Sequence, residues 1–409
     1  MKTSVPIYLV LITFILACGS GEPSGGVERS EAGDTMVIFS PAPIHSDTIL
    51  GQEVMRWGQF SGDPDLLFSE IYAFSVSSDG GIIVHDDGEG IREFDSQGRF
   101  VGRLAGTGAG PGEIRYLGAL AQSKEGRVAA YDIGHDRISI YGHEGVTTLA
   151  RPEGMPRYGG DGVLFTEDGS LWISVSPAFP AEGGVPHPRP IFARVEDDGT
   201  LRDTVFTPSR LTTACPVLSN RTYQRGFWED VRAPFVPKMK WTMASDGSLL
   251  FGCPATYEFE VVRPDGAVYR MTRAWEPLRI SDDHRDHLAA RVGIGNLPEE
   301  RPAYARLEAF NDGRIWVRPT LPSQQVPLAD EVVQQFGITH TWGESARAVF
   351  DVFTAEDGWL GTVALPPEAR YSGFPTEPHV VIRGDSIWAM ATDSLDVQYI
   401  VKYVAEWPK

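Results

Sequence analysis

The 409-residue chain has no surplus of positive charge: 36 Lys and Arg stand against 55 Asp and Glu, a formal net charge of −19. A nucleic-acid backbone or an anionic membrane surface is thereby excluded as the main partner, because both would be repelled at long range. No apolar run reaches the ~20 residues that a membrane-spanning helix needs. No Gly-x-Ser-x-Gly elbow and no His-Glu-x-x-His pair is present, so no linear motif announces a hydrolase or a zinc protease. Cysteine is scarce, with three residues in all, and none has a neighbouring His at a nucleophile-type spacing. What is plentiful is turn-forming and aromatic: 44 Gly, 30 Pro, 20 Phe, 13 Tyr and 10 Trp, with 42% hydrophobic residues. That mixture fits many short strands joined by tight turns, and the length calls for two domains or one large closed repeat.

The N-terminus reads as a targeting segment. One Lys precedes an apolar run from Val5 to Ala17, too short and one-sided for a membrane span. Residues 1–17 are therefore expected to be a signal peptide. The stretch Ile15 to Cys18, "ILAC", resembles the lipobox of bacterial lipoproteins, which implies that Cys18 carries a diacylglyceryl anchor in the bilayer of a bacterial cell envelope, facing the periplasm or the exterior; an ordinary secretory signal is the alternative. Residues 18–34 have almost no large apolar side chains and are expected to be a flexible tether, leaving 35–409 as the folded domain. Export puts Cys215 and Cys253 where disulfides persist, so a bridge between them stands beside the alternative of two free thiols.

A period is visible in the turns. Six segments share an apolar run, an Asp-Gly-like turn and a second apolar run, beginning at Phe74, Leu120, Val163, Trp241, Leu307 and His379, and each reads as a hairpin. A second hairpin follows in five of them, with insertions between the middle strands of units three and five. Four-stranded units of ~40 residues are the signature of a β-propeller. The sixth unit ends after its third strand, and Asp47 to Val54 offers the missing one. The expected fold is all-β, a six-bladed propeller closed by an N-terminal strand.

Within this rhythm, Gly110, Pro111, Gly112, Glu113, Gly126, Asp132, Arg137 and Ile138 resemble the NHL repeat, whose pattern runs from a Gly-Pro-Gly-Glu loop through a Gly turn to an Asp near Arg-Ile. The resemblance is specific in unit two and degrades elsewhere. It implies an exported propeller of a group known mainly as binding and scaffold modules, with lyase and hydrolase relatives on the same fold.

The chemistry is spread over several candidates. "GTGAGPGE" (Gly106 to Glu113) has phosphate-cradle glycines but no Lys-Ser/Thr and no following helix, so a tight connection between blades explains it better. A divalent cation is the one cofactor with candidate ligands: Asp86 and Asp132 at the ends of second strands, with His85 and His135 nearby, and His284 and His287 three apart on a short helix begun by Ser281. Turn caps and a solvated helix are the competing explanations. Finally, the residues entering the innermost strands include Arg115, Tyr116, Arg157, Tyr158, Lys238, Lys240, Arg301, Tyr304 and Arg306, with Glu70 and Glu377 on the remaining blades. They suggest a basic, aromatic channel mouth for a protein, glycan or small anionic ligand, unless those cations pair with local carboxylates such as Glu113, Glu299 and Glu300. The leading expectation is a membrane-anchored binding or scaffold module holding its ligand on the loop-rich face. The alternative is a propeller lyase or hydrolase with a divalent metal at the mouth.

Overall fold

The computed structural model describes residues 26–152, 155, 162–175, 191–206, 219–224, 227–232, 235–237, 239–283, 285–286, 289, 297–309, 312–321, 324–327, 342–345, 348–366, 380–395 and 397–408. Cys18, Arg157, Tyr158, Cys215, Lys238, His284, His287 and Glu377 lie outside the described residues.

Four N-terminal strands come first: β1 (Glu28–Ala32), β2 (Thr35–Ser40), β3 (Ile49–Leu50) and β4 (Gln52–Trp57). Blade 1 is β5 (Ile71–Val76), β6 (Ile82–Asp86), β7 (Gly90–Phe94) and β8 (Phe100–Ala105). Blade 2 is β9 (Leu117–Gln122), β10 (Val128–Asp132), β11 (Arg137–Gly142) and β12 (Gly145–Ala150). Blade 3 is β13 (Val163–Phe165), β14 (Leu171–Val175), β15 (Ile191–Val195) and β16 (Leu201–Phe206), and a hairpin of β17 (Ser219–Gln224) and β18 (Phe227–Arg232) follows it. Blade 4 is β19 (Lys240–Met243), β20 (Leu249–Gly252), β21 (Glu258–Val262) and β22 (Val268–Arg273). Blade 5 contains β23 (Tyr304–Ala309) and β24 (Ile315–Pro319), an inserted hairpin of β25 (Gln324–Pro327) and β26 (Trp342–Ser345), then β27 (Val349–Thr354) and β28 (Gly358–Ala364). Blade 6 is β29 (Val380–Arg383), β30 (Ser386–Thr392) and β31 (Gln398–Val404), and β4 pairs antiparallel with β31 as its fourth strand.

The six-bladed propeller closed by an N-terminal strand is thus the observed architecture. The closing strand overlaps the end of the Asp47 to Val54 segment and runs on to Trp57. Its Trp57 pairs with Ile400, whereas Ile49 and Leu50 run parallel to Val363 and Ala364 at the outer edge of blade 5. The tether reading also needs correction at its end. Glu28–Ala32 pairs with β2, which adds in parallel to β22 of blade 4, so the chain straps the outer edges of blades 4, 5 and 6 before entering blade 1.

Six apolar layers hold the ring, one in each gap between blades. Phe74, Val84, Trp57, Trp388 and Ile400 fill the gap between blades 6 and 1, and Ile83, Ile91, Val128 and Tyr141 the next. Comparable clusters follow around the ring. The second strands β6 and β10 are buried at every position, because both faces of a middle strand meet a neighbouring blade. The turn chemistry that betrayed the period is a repeated Asx turn. Asp79, Asp168, Asp246 and Asp312 each accept the backbone N–H two residues on, as do Asp95, Asp198 and Asp265 in the second hairpins. The intervening Gly80 and Gly98 sit at φ of 88° and 81°, the left-handed region that these turns demand.

Candidate functional site at the loop-rich face

In this topology the Asx turns share one face, while the connections between second and third strands and between successive blades share the other. The segments inserted in blades 3 and 5 and those linking blades 3 to 4, 4 to 5 and 5 to 6 therefore begin and end at strand termini on this second face, the usual place for binding loops.

On this face blades 1 and 2 are built alike. The Asp86 carboxylate, fully buried at the end of β6, accepts the backbone N–H of Ser69 and of Glu70 and the Ser69 hydroxyl, at 3.0, 2.8 and 2.7 Å, and ion-pairs with buried Arg92. Arg92 in turn donates to the carbonyls of Asp65 and Leu67. Asp132 at the end of β10 accepts from the amides of Arg115, Tyr116 and Gly134 at 3.3, 3.1 and 3.0 Å and meets His135 Nδ1 at 2.6 Å. Burial alone would push Asp132 up. The His135 ring and the Tyr116 and Arg115 amides outweigh it and hold the carboxyl below its ordinary value. Both carboxylates are thus engaged by protein donors at the chain's approach to an innermost strand. Among the described residues, no group of three or more His, Cys, Asp and Glu is placed to hold a metal ion.

The glycine-rich loop wraps an anion of its own. The Glu113 carboxylate accepts the Gly110 N–H at 2.7 Å, and a Cβ at Gly108 would collide with it. Arg137 closes the loop by donating to the carbonyls of Gly110 and Glu113 at 2.9 and 2.6 Å.

The structure separates the residues expected at the mouth. Arg115 and Tyr116 are exposed on the loop-rich face, with the Arg115 stem lying along Gly134. Lys240 and Arg306 are half-buried, and Arg306 faces Glu308 at 3.7 Å. Tyr304 is a correction: it is fully buried, donates its hydroxyl to the Glu258 carbonyl at 2.8 Å and packs against Tyr257 and Phe259. As the first residue of β23 its side chain turns into the gap between blades 4 and 5, and burial drives its hydroxyl well above the usual range. Arg301 stacks over Phe235, 5.0 Å from its ring centre. Cys253 is buried just after β20. At the expected short helix, Arg285 N donates to Ser281 O at 3.0 Å.

Tyr72 was missed as part of the site, and His85, named only as a neighbour of Asp86, packs against it. Tyr72 is the bulged residue of β5, skipped in the pairing that matches Ile71 with Asp86 and Ala73 with His85. Its edge meets the His85 ring at 5.8 Å between centroids and Tyr116 at 6.4 Å. Bulges recur at the same place in blades 2 and 5, where Gly118 and Ala305 are skipped. Each of the three lies eight residues before its turn glycine, Gly80, Gly126 or Gly313, and only blade 1 uses the bulge to aim a large side chain at the rim. That aligned position was the sequence signal. His85 beneath it is 7% exposed, and its Nδ1 is sealed from solvent without a hydrogen-bond partner. Burial lowers its pKa to about 4, against the opposing pull of Asp87, Asp86 and Asp132. The Tyr72 hydroxyl is shifted up, first by burial and then by the negative charges of Glu70 and Asp87.

No protein-family model and no curated protein matches the chain. Among solved structures, it is similar to a putative exported protein from Bacteroides fragilis NCTC 9343, at 12% identity and a TM-score of 0.49, over 91% of this chain and 100% of that one. It is also similar to virginiamycin B lyase from Staphylococcus aureus, at 14% identity and a TM-score of 0.40, over 87% and 98%. The propeller assignment itself rests on the strand pairing described above.

Proposed function

We propose that the chain is an exported, NHL-like propeller, lipid-anchored through Cys18, that acts as a binding module and holds its ligand on the loop-rich face between blades 1 and 2. One observation carries this reading. Tyr116, 51% exposed, stands against Tyr72 on the face of the connections between blades, so aromatic surface is kept free while the carboxylates Asp86 and Asp132 beside it are engaged in capping backbone. Exposed aromatic side chains on a rigid scaffold are typical binding anchors, because they offer large contact area at small entropic cost. Export also supports a bridge from Cys253, buried after β20, to Cys215.

His85 favours a second reading, a lyase or hydrolase working at the same mouth with a divalent metal: a neutral imidazole there suits proton transfer. The test of the leading reading is a ligand screen run in parallel on the wild-type protein and Tyr116→Ala. Ligands that bind the first and not the second are expected. Binding that ignores the substitution throughout the panel overturns the placement. For the anchor, radiolabelled palmitate should enter the wild-type chain and not Cys18→Ala.

A further inference from the structure

The geometry points to an organic cation, an amine or quaternary ammonium group, as the ligand class of the site between blades 1 and 2. This rests on the binding-module reading and sharpens it. Tyr72 and Tyr116 meet edge to face, with ring planes at 63°, so two π-faces form a corner rather than a single flat shelf. A corner of aromatic faces is the arrangement that surrounds a cation, whose attraction is to the electron-rich face of each ring. Two carboxylates stand at this corner. The Asp87 N–H donates to the Glu70 carbonyl at 2.9 Å, which ties the two residues together, and both side chains are exposed. Neither carboxylate enters an ion pair or a side-chain hydrogen bond, in contrast to the engaged Asp86 and Asp132.

The floor of the corner agrees with this assignment. His85 packs against Tyr72 with an unpartnered, sealed Nδ1 and stays neutral at physiological pH, and the buried cation nearby, Arg92, is paired with Asp86. The Arg115 stem lies along Gly134. At Tyr72 the nearby charges are Glu70 and Asp87, both of which raise its hydroxyl. An anion is disfavoured here by the same charges.

The experiment is calorimetric titration of the full-length protein in detergent with choline, and with 3,3-dimethyl-1-butanol, which has the same shape and no charge. Citrate and a cello-oligosaccharide series complete the panel. Choline should bind and the alcohol should not. Tyr116→Ala should weaken choline by about tenfold, Tyr116→Phe should retain it, and Asp87→Asn combined with Glu70→Gln should weaken it several-fold while flattening its salt dependence. Equal binding of choline and the alcohol overturns the cation assignment. So does saturation by citrate or oligosaccharide, lost in Tyr116→Ala, with no choline response; the mouth would then remain the binding site for another class. Silence of the whole panel overturns both this inference and the placement of the site.

Discussion

Removing the Trp57 side chain tests whether the N-terminal strand closes the ring. Trp57 belongs to β4, yet it is 1% exposed in the layer between blades 6 and 1, and its Nε1 donates to the Asp95 carbonyl of blade 1 at 3.2 Å. A buried Trp removes about 150 to 250 Å² from water, which at about 25 cal/mol per Å² is worth about 4 to 6 kcal/mol. Measured Trp→Ala costs in cores run at about 3 to 5 kcal/mol. Trp57→Ala should therefore cost about 4 kcal/mol in guanidinium denaturation followed by circular dichroism. The control is on the same strand: Val54 is 56% exposed, and Val54→Ala should stay within about 0.5 kcal/mol. If the two variants unfold within about 1 kcal/mol of each other, β4 does not carry the closure.

Asp86→Ala leaves the Arg92 guanidinium, 1% exposed, without its carboxylate and two N–H groups without an acceptor; a loss of about 3 to 5 kcal/mol is expected by the same titration. Gly108→Ala forces a Cβ into the Glu113 carboxylate and should destabilise, whereas the pair Gly108→Ala with Glu113→Ala should recover part of the loss, a coupling that a phosphate cradle would not produce. His85 has its folded pKa depressed to about 4, so between that value and about 6.5 the unfolded chain binds a proton that the native state does not, and stability rises with pH across that window. About 3 kcal/mol should be lost on acidification from pH 7 to pH 4 through this residue, and His85→Phe should remove that part of the slope. A chelator that lowers the melting midpoint would favour the metal-dependent reading over the binding module.

The blade count was legible because turn chemistry is local. An Asp accepting an N–H two residues on, followed by Gly at positive φ, is written in consecutive residues and repeats whatever the packing does. The closing strand was legible as a vacancy, since a unit of three strands leaves an edge. The strap over blades 4 and 5 was not. Its outermost strand, Glu28–Ala32, is exposed at every position and shows no apolar alternation, and the partly buried Thr35–Ser40 does not record in its side chains which blade it joins. Tyr304 lies nine residues before Gly313, as buried Leu117 and Ile71 lie nine before Gly126 and Gly80, whereas Tyr116 lies ten before Gly126; an offset of one residue decides which way a strand side chain faces. The expectation of a basic mouth gave little weight to Glu70 on blade 1, and at Tyr72 the nearby charges are Glu70 and Asp87.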